Sequence, residues 1–139
     1  MTHRTSRIKV EKSRSTEFLS IAENFREASE LAFEFGYFNA AGVLIVHSVI
    51  ALADALTIRL GGVKCKGENH YEIVSLMKDL VPDSAQKDKA LNHFNAIIDH
   101  KSAVSYSGEI YKRKDIETMM KHGRRFSDWA KSELTNLAL

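Results

Sequence analysis

His100, Lys101 and Tyr106 bring an imidazole, an ammonium and a phenol to one short stretch of chain. A lysine there can neutralise a phosphate, and a histidine can take or give a proton near neutral pH. Tyr106 is a poor proton shuttle, because a phenol titrates near ~10. The functional reading is a pocket that binds a phosphate or nucleotide without cutting it. The plainer reading is a polar helix end, with Lys101 favouring the helix dipole and Tyr106 packing its ring. The residues alone do not separate the two.

His47 and Asp54 stand seven apart in an apolar segment, so on a helix they project from nearly the same face. A carboxylate there could orient an imidazole, or hold Lys101 as a buried ion pair; the plainer reading is a pair of satisfied core polar groups. His93 and His100 are also seven apart. Two helical turns separate them by ~10.5 Å, too far for one metal held from one helix, and no Cys–His cluster completes such a site. No metal or cofactor is expected. Lys112, Arg113 and Lys114 form a basic run, joined later by Lys121, Arg124 and Arg125. A solvated face is the default for such a run, and nucleic-acid contact the functional alternative. Neither a glycine-rich phosphate loop nor a nucleophile motif is present.

The elements that position these side chains are helical by every gross measure. A chain of 139 residues, 44% hydrophobic and 27% charged, supports one domain with one core. With seven glycines and only Pro82, the chain has few breakers, which favours long helices over a turn-rich sheet. Twenty basic against eighteen acidic residues do not mark a dedicated nucleic-acid binder. The single Cys65 forms no intrachain disulfide, and the polar, basic start MTHRTSRIKVEKSR is unlike a secretory leader, so a cytoplasmic location is expected. The uncharged stretch from Phe35 to Ala53 approaches the length of a membrane span. Asn39, His47 and Ser48 interrupt it and Asp54 follows, so it reads as a buried central helix with no membrane partner.

Residues 1–14 read as a basic, mobile arm, and 15–139 as a single domain. Phe18, Ile21, Ala22, Phe25, Ala28, Ala32 and Phe35 mark a first amphipathic helix, capped by Ser15 or Thr16 and stopped by Gly36. A nearly all-apolar second helix runs from about Phe38 to Leu60. Asn69 with Glu72 suggests a capping box for a third helix, with Ile73, Leu76, Met77 and Leu80 as its stripe and Pro82 as its stop. Asp83 with Gln86 opens a fourth, carrying Ala90, Leu91, Phe94, Ile97, Ile98 and Val104 and fraying near Gly108. The last begins around Lys114 or Asp115 and buries Ile116, Met119, Met120, Phe126, Trp129 and Leu134. Five helices with short loops predict an all-α antiparallel bundle with a polar N-terminal arm.

Three stretches resemble HEPN domains, small helical modules associated with nucleotidyltransferases and toxin–antitoxin systems. They are FNAAGVLIVHSVIALADALTIRLGG, KGENHYEIVSLM and KSAVSYSGEIYKRKDIETMMKHGRRFSDWAKSEL, in the family's order and spacing. The resemblance implies a homodimer with a shared cleft, a nucleotidyltransferase as a partner, and a nucleotide or RNA as ligand. The family's ribonucleases carry Arg, four to six residues, then His, late in the fourth helix. No arginine here has a histidine at that distance, and the matching segment KSAVSY places Lys101 and Tyr106 at those positions. Lysine lacks the planar fork of arginine. The expectation is therefore a non-catalytic HEPN-like module that binds a nucleotide, RNA or a protein partner through a dimer cleft. The alternatives are a toxin-like metal-independent endoribonuclease with an altered site, using Lys101, Tyr106 and His100, and a scaffold subunit with no small ligand.

Overall fold

In the computed structural model, which describes residues 7–66 and 70–137, each long segment with a 3.6-residue apolar period is a helix. They are α1 (Ser15–Glu34), α2 (Phe38–Gly61), α3 (His70–Leu80), α4 (Ala85–Ile98) and α6 (Arg113–Leu137), with one short helix, α5 (Lys101–Ser105). The architecture is the expected all-α bundle. Two three-residue strands, β1 (Arg7–Lys9) and β2 (Val63–Cys65), add a small antiparallel ribbon in which Ile8 pairs with Lys64.

The ribbon changes the reading of the chain's start. From Arg7 onward the arm is tied down: β1 pairs with β2, the Val10 N–H donates to the Gly62 carbonyl at 2.9 Å, and Arg7 reaches Asp79 at 2.9 Å. A single 3-10 turn, Lys12–Arg14, then leads into α1. An alternation of only three residues is too short to register as a strand in sequence. The earlier basic residue Arg4, and the Asn69 of the expected capping box, lie outside the described residues.

Helix α1 is rotated relative to its apolar reading. Ser15, Ala22 and Ser29 are buried and Leu19 and Phe33 pack on the core, whereas Ile21 is 45% and Phe35 67% exposed. Small side chains win the inner face because α1 lies close against α2. The Ser48 hydroxyl donates to the Ala22 carbonyl at 2.9 Å, and Ser29 satisfies itself on the Arg26 carbonyl at 2.6 Å. Neither Ser15 nor Thr16 caps the helix, but Gly36 stops it in the left-handed conformation, with φ of 80°.

Helix α2 is the axis of the bundle. It is long and apolar enough to cross a membrane, yet 72% of its most apolar window is buried within the fold, as a core helix would be. Ala41, Ile45, Val46, Val49, Leu52, Leu56 and Ile58 are all buried along it. Opposite, Phe94 of α4 and Phe126 of α6 meet with ring centroids 5.0 Å apart, and Trp129 stacks behind Phe126 at 5.9 Å. At the α3–α4 turn the cap falls on Ser84, not Asp83: the Ser84 hydroxyl accepts the Lys87 N–H at 3.0 Å. Lys87 is 2% exposed, and its Nζ donates to the carbonyls of Lys78 and Val81 and to Asp83. A cation thus closes the carbonyl end of α3, where the helix dipole favours it.

The fourth helix departs from expectation. It ends at Ile98, and residues 101–105 form the separate helix α5. Val104 of α5 seats against Gly42 of α2. A Cβ built on Gly42 would lie 2.5 Å from Val104 Cγ2 and 3.3 Å from Ile116 Cδ1. The glycine is what lets α5 and the start of α6 approach the central helix.

Candidate functional site

The residues singled out in sequence divide between two places. His100 ends the α4–α5 junction and Lys101 opens α5, while Tyr106 stands just beyond it, 79% exposed. The His100 Nδ1 lies 2.7 Å from the Tyr111 hydroxyl, and Tyr111 is itself 4% exposed. Asn39, in the first turn of α2, holds this loop: its amide donates to the Val104 and Glu109 carbonyls, and its oxygen accepts the Tyr111 N–H at 2.9 Å. The chemistry-bearing end of α5 is therefore fixed by Asn39 rather than by continuation of α4.

His47 and Asp54 are not part of it. His47 is exposed on α2 and packs its ring on Phe25 of α1 at 5.9 Å. Asp54 is buried with its carboxylate 3.8 Å from Lys64 of β2, so Lys64 rather than Lys101 is its cationic neighbour. Burial, only partly offset by Lys64, raises the Asp54 carboxyl to about 6. Its Oδ1 has no hydrogen-bond partner among the described residues.

The structure adds a pair that sequence spacing did not reveal. His93 of α4 and His122 of α6 face each other with their Nδ1 atoms 2.8 Å apart. They are 29 positions apart on antiparallel helices, so no single-helix period could connect them. Sequence spacing relates His93 only to His100, too far along one helix to share a metal, and gives His122 no partner. Burial lowers both imidazoles below their ordinary value; after it, His122, Arg125 and Lys121 act on His93, and Arg125, Lys121 and His100 act on His122. His93, His122 and His100 thus lie along one seam between α4 and α6, ending at Tyr111. Among the described residues no group of three or more His, Cys, Asp or Glu converges as a metal site.

The Nδ1–Nδ1 contact dictates what the pair can offer. One ring must donate its Nδ1 proton and the other must accept it, so in the neutral pair the outer nitrogens differ. The donor ring keeps a lone pair on Nε2; the acceptor ring carries its proton there. Neither Nε2 is buried without a partner. The pair therefore carries a base and an acid on the opposite outer edges of its two rings, with an ammonium and a guanidinium acting on both. That combination suits a phosphate-bearing ligand better than a cation.

A family model described as HEPN domain matches residues 15–134. No curated protein and no solved structure matches the chain.

Proposed function

The chain belongs to the HEPN domain family, and on that premise we propose that it is a binding module for a phosphate-bearing ligand, a nucleotide or RNA, taken up on the α4–α6 seam. The observation that carries this reading is the His93–His122 pair, 2.8 Å apart and flanked by Lys121 and Arg125. His100, fixed by Tyr111, and Lys101 extend the same surface toward α5. The role does not depend on the Arg–His signature that the chain lacks. Homodimerisation belongs to the same proposal. It is supported by Leu31, Phe35, Tyr37 and Ile110, which one copy leaves 57%, 67%, 65% and 82% exposed. Sedimentation at micromolar concentration should then return twice the chain mass.

The test is titration of a fluorescent adenine nucleotide and a labelled RNA oligonucleotide, with metal chelated. His122→Ala and Lys101→Ala should each weaken binding by about tenfold, the worth of one charge-assisted hydrogen bond. Unchanged affinity in both variants would remove the seam from the reading. One observation favours a second reading, the endoribonuclease: the neutral pair carries one proton acceptor and one proton donor, and ribose-directed cleavage requires both. Cleavage of the RNA by the parent, lost in both His93→Ala and His122→Ala, would establish that reading instead.

A further inference from the structure

Helix α6 has a second functional flank. While His122 turns toward α4, Met120, Gly123, Arg124, Ser127 and Asp128 recur at helical steps along a cleft on the other side of the helix. The cleft lies between α1 and α6, and its volume is about 230 Å³. Ile45, Val49 and Leu52 of α2 form an apolar floor, which Met120 extends from α6. A run of ion pairs ties the two walls together: Lys131 of α6 pairs with Glu23 of α1, Glu23 with Arg26, and Arg26 with Glu30 at 2.8 Å. Those charges are engaged with one another. Arg124 and Asp128 are not, and neither joins an ion pair among the described residues. They stand four positions apart on α6, about 6 Å along its axis, so a guanidinium and a carboxylate flank the cleft within reach of one small molecule.

We propose that the α1–α6 cleft is a binding site for a free α-amino acid with an aliphatic side chain of about leucine's size. The side chain lies on Ile45, Val49, Leu52 and Met120, the carboxylate on Arg124 and the ammonium on Asp128. Volume decides the size. An apolar cavity of ~150 Å³ holds a benzene ring, so one half as large again holds a molecule of about nine non-hydrogen atoms. Pockets for larger ligands run to roughly 300–1,000 Å³, and this cleft is too small to bury a nucleotide. Charge decides the class. A simple carboxylate would set Asp128 against a like charge, and a simple amine would do the same to Arg124. A zwitterion answers both, and brings no unpaired charge onto the apolar floor. The site is separate from the α4–α6 seam and does not depend on it.

The test is calorimetric titration of the full chain with L-leucine into the millimolar range. L-leucine should bind saturably, and glycine, which lacks the apolar body, should not. N-acetyl-leucine lacks the ammonium and leucinamide the carboxylate, and each should bind about tenfold more weakly than leucine. Two variants at exposed positions then assign the charges. Arg124→Gln should weaken leucine about tenfold and leave leucinamide nearly unchanged; Asp128→Asn should weaken leucine as much and leave N-acetyl-leucine nearly unchanged. The Ile45 and Met120 methyl resonances should shift at saturation. No saturable binding of leucine, or binding that leaves those methyl groups unmoved, overturns the proposal. So does a variant that weakens leucine and both analogues alike, because damage to the fold alone would do that.

Discussion

Replacing Asp54 with asparagine should stabilise the protein at neutral pH. Asp54 lies on the central helix with its side chain 11% exposed, and Oδ1 finds no hydrogen-bond donor among the described residues. Lys64 stands 3.8 Å away, at the limit of an ion pair, and does not recover the hydration that burial removes. The carboxyl accordingly titrates at about 6 in the folded chain, against 3.8 without the fold. Between those values the native state holds more protons than the unfolded one, so stability falls as pH rises. The contribution is fully present below 3.8 and is lost as pH rises through about 6. At about 1.4 kcal/mol per pH unit, the ionised carboxylate costs about 3 kcal/mol at pH 7. Urea denaturation followed by Trp129 emission, run on parent and Asp54→Asn from pH 4 to 8, isolates the effect. The histidine pair has the opposite sign: its lowered imidazoles make stability fall as pH drops below about 6.5. That slope is common to both proteins and cancels in their difference. The variant should lead by about 3 kcal/mol at pH 7 and by less than about 1 kcal/mol at pH 4. A variant less stable than the parent at pH 7 would show instead that Lys64 and Asp54 form a net-stabilising ion pair, and a gap that ignores pH would show that burial does not raise the carboxyl.

Phe126→Ala should cost about 3–5 kcal/mol, since the ring is fully buried between Phe94 and Trp129; the red shift of Trp129 emission in the native state reports the cavity. Lys87→Met keeps the buried stem but strands the Lys78 and Val81 carbonyls, and chemical denaturation should record a loss of about 2–4 kcal/mol. Gly42→Ala should lower stability by about 1–3 kcal/mol through the clash with Val104. Adding Val104→Ala should cost less in that background than in the parent, which a double-mutant cycle measures.

The bundle was legible because each long helix carries its own period. Ile73, Leu76 and Met77 of α3, and Ala90, Leu91, Phe94 and Ile97 of α4, are buried as their spacing requires. The break after Ile98 was hidden by the same signal. Val104 follows Ile97 by seven positions, so the apolar stripe continues through a helix that does not, with no glycine or proline at the junction. On α1 the apolar stripe held at Ala22 but misled elsewhere, because close approach to α2 buried Ser15 and Ser29 and left the larger Ile21 and Phe35 outside. His100 was found because it neighbours Lys101 in sequence. The His93–His122 contact was not, since a pair across antiparallel helices depends on their packing register, which neither helix encodes alone.

The β1–β2 ribbon also orders the making of the molecule. The residues of β1 bond to partners more than fifty positions along the chain, whereas α1 and α2 meet across a turn of three residues. Closing the longer loop costs more chain entropy and returns only a short ladder, so the helical hairpin forms first and brings the strand's partner to it. The ribbon is then the last part to form and the first to open. Its backbone amides should exchange with solvent through local opening, while those of α2 wait for the whole bundle to unfold.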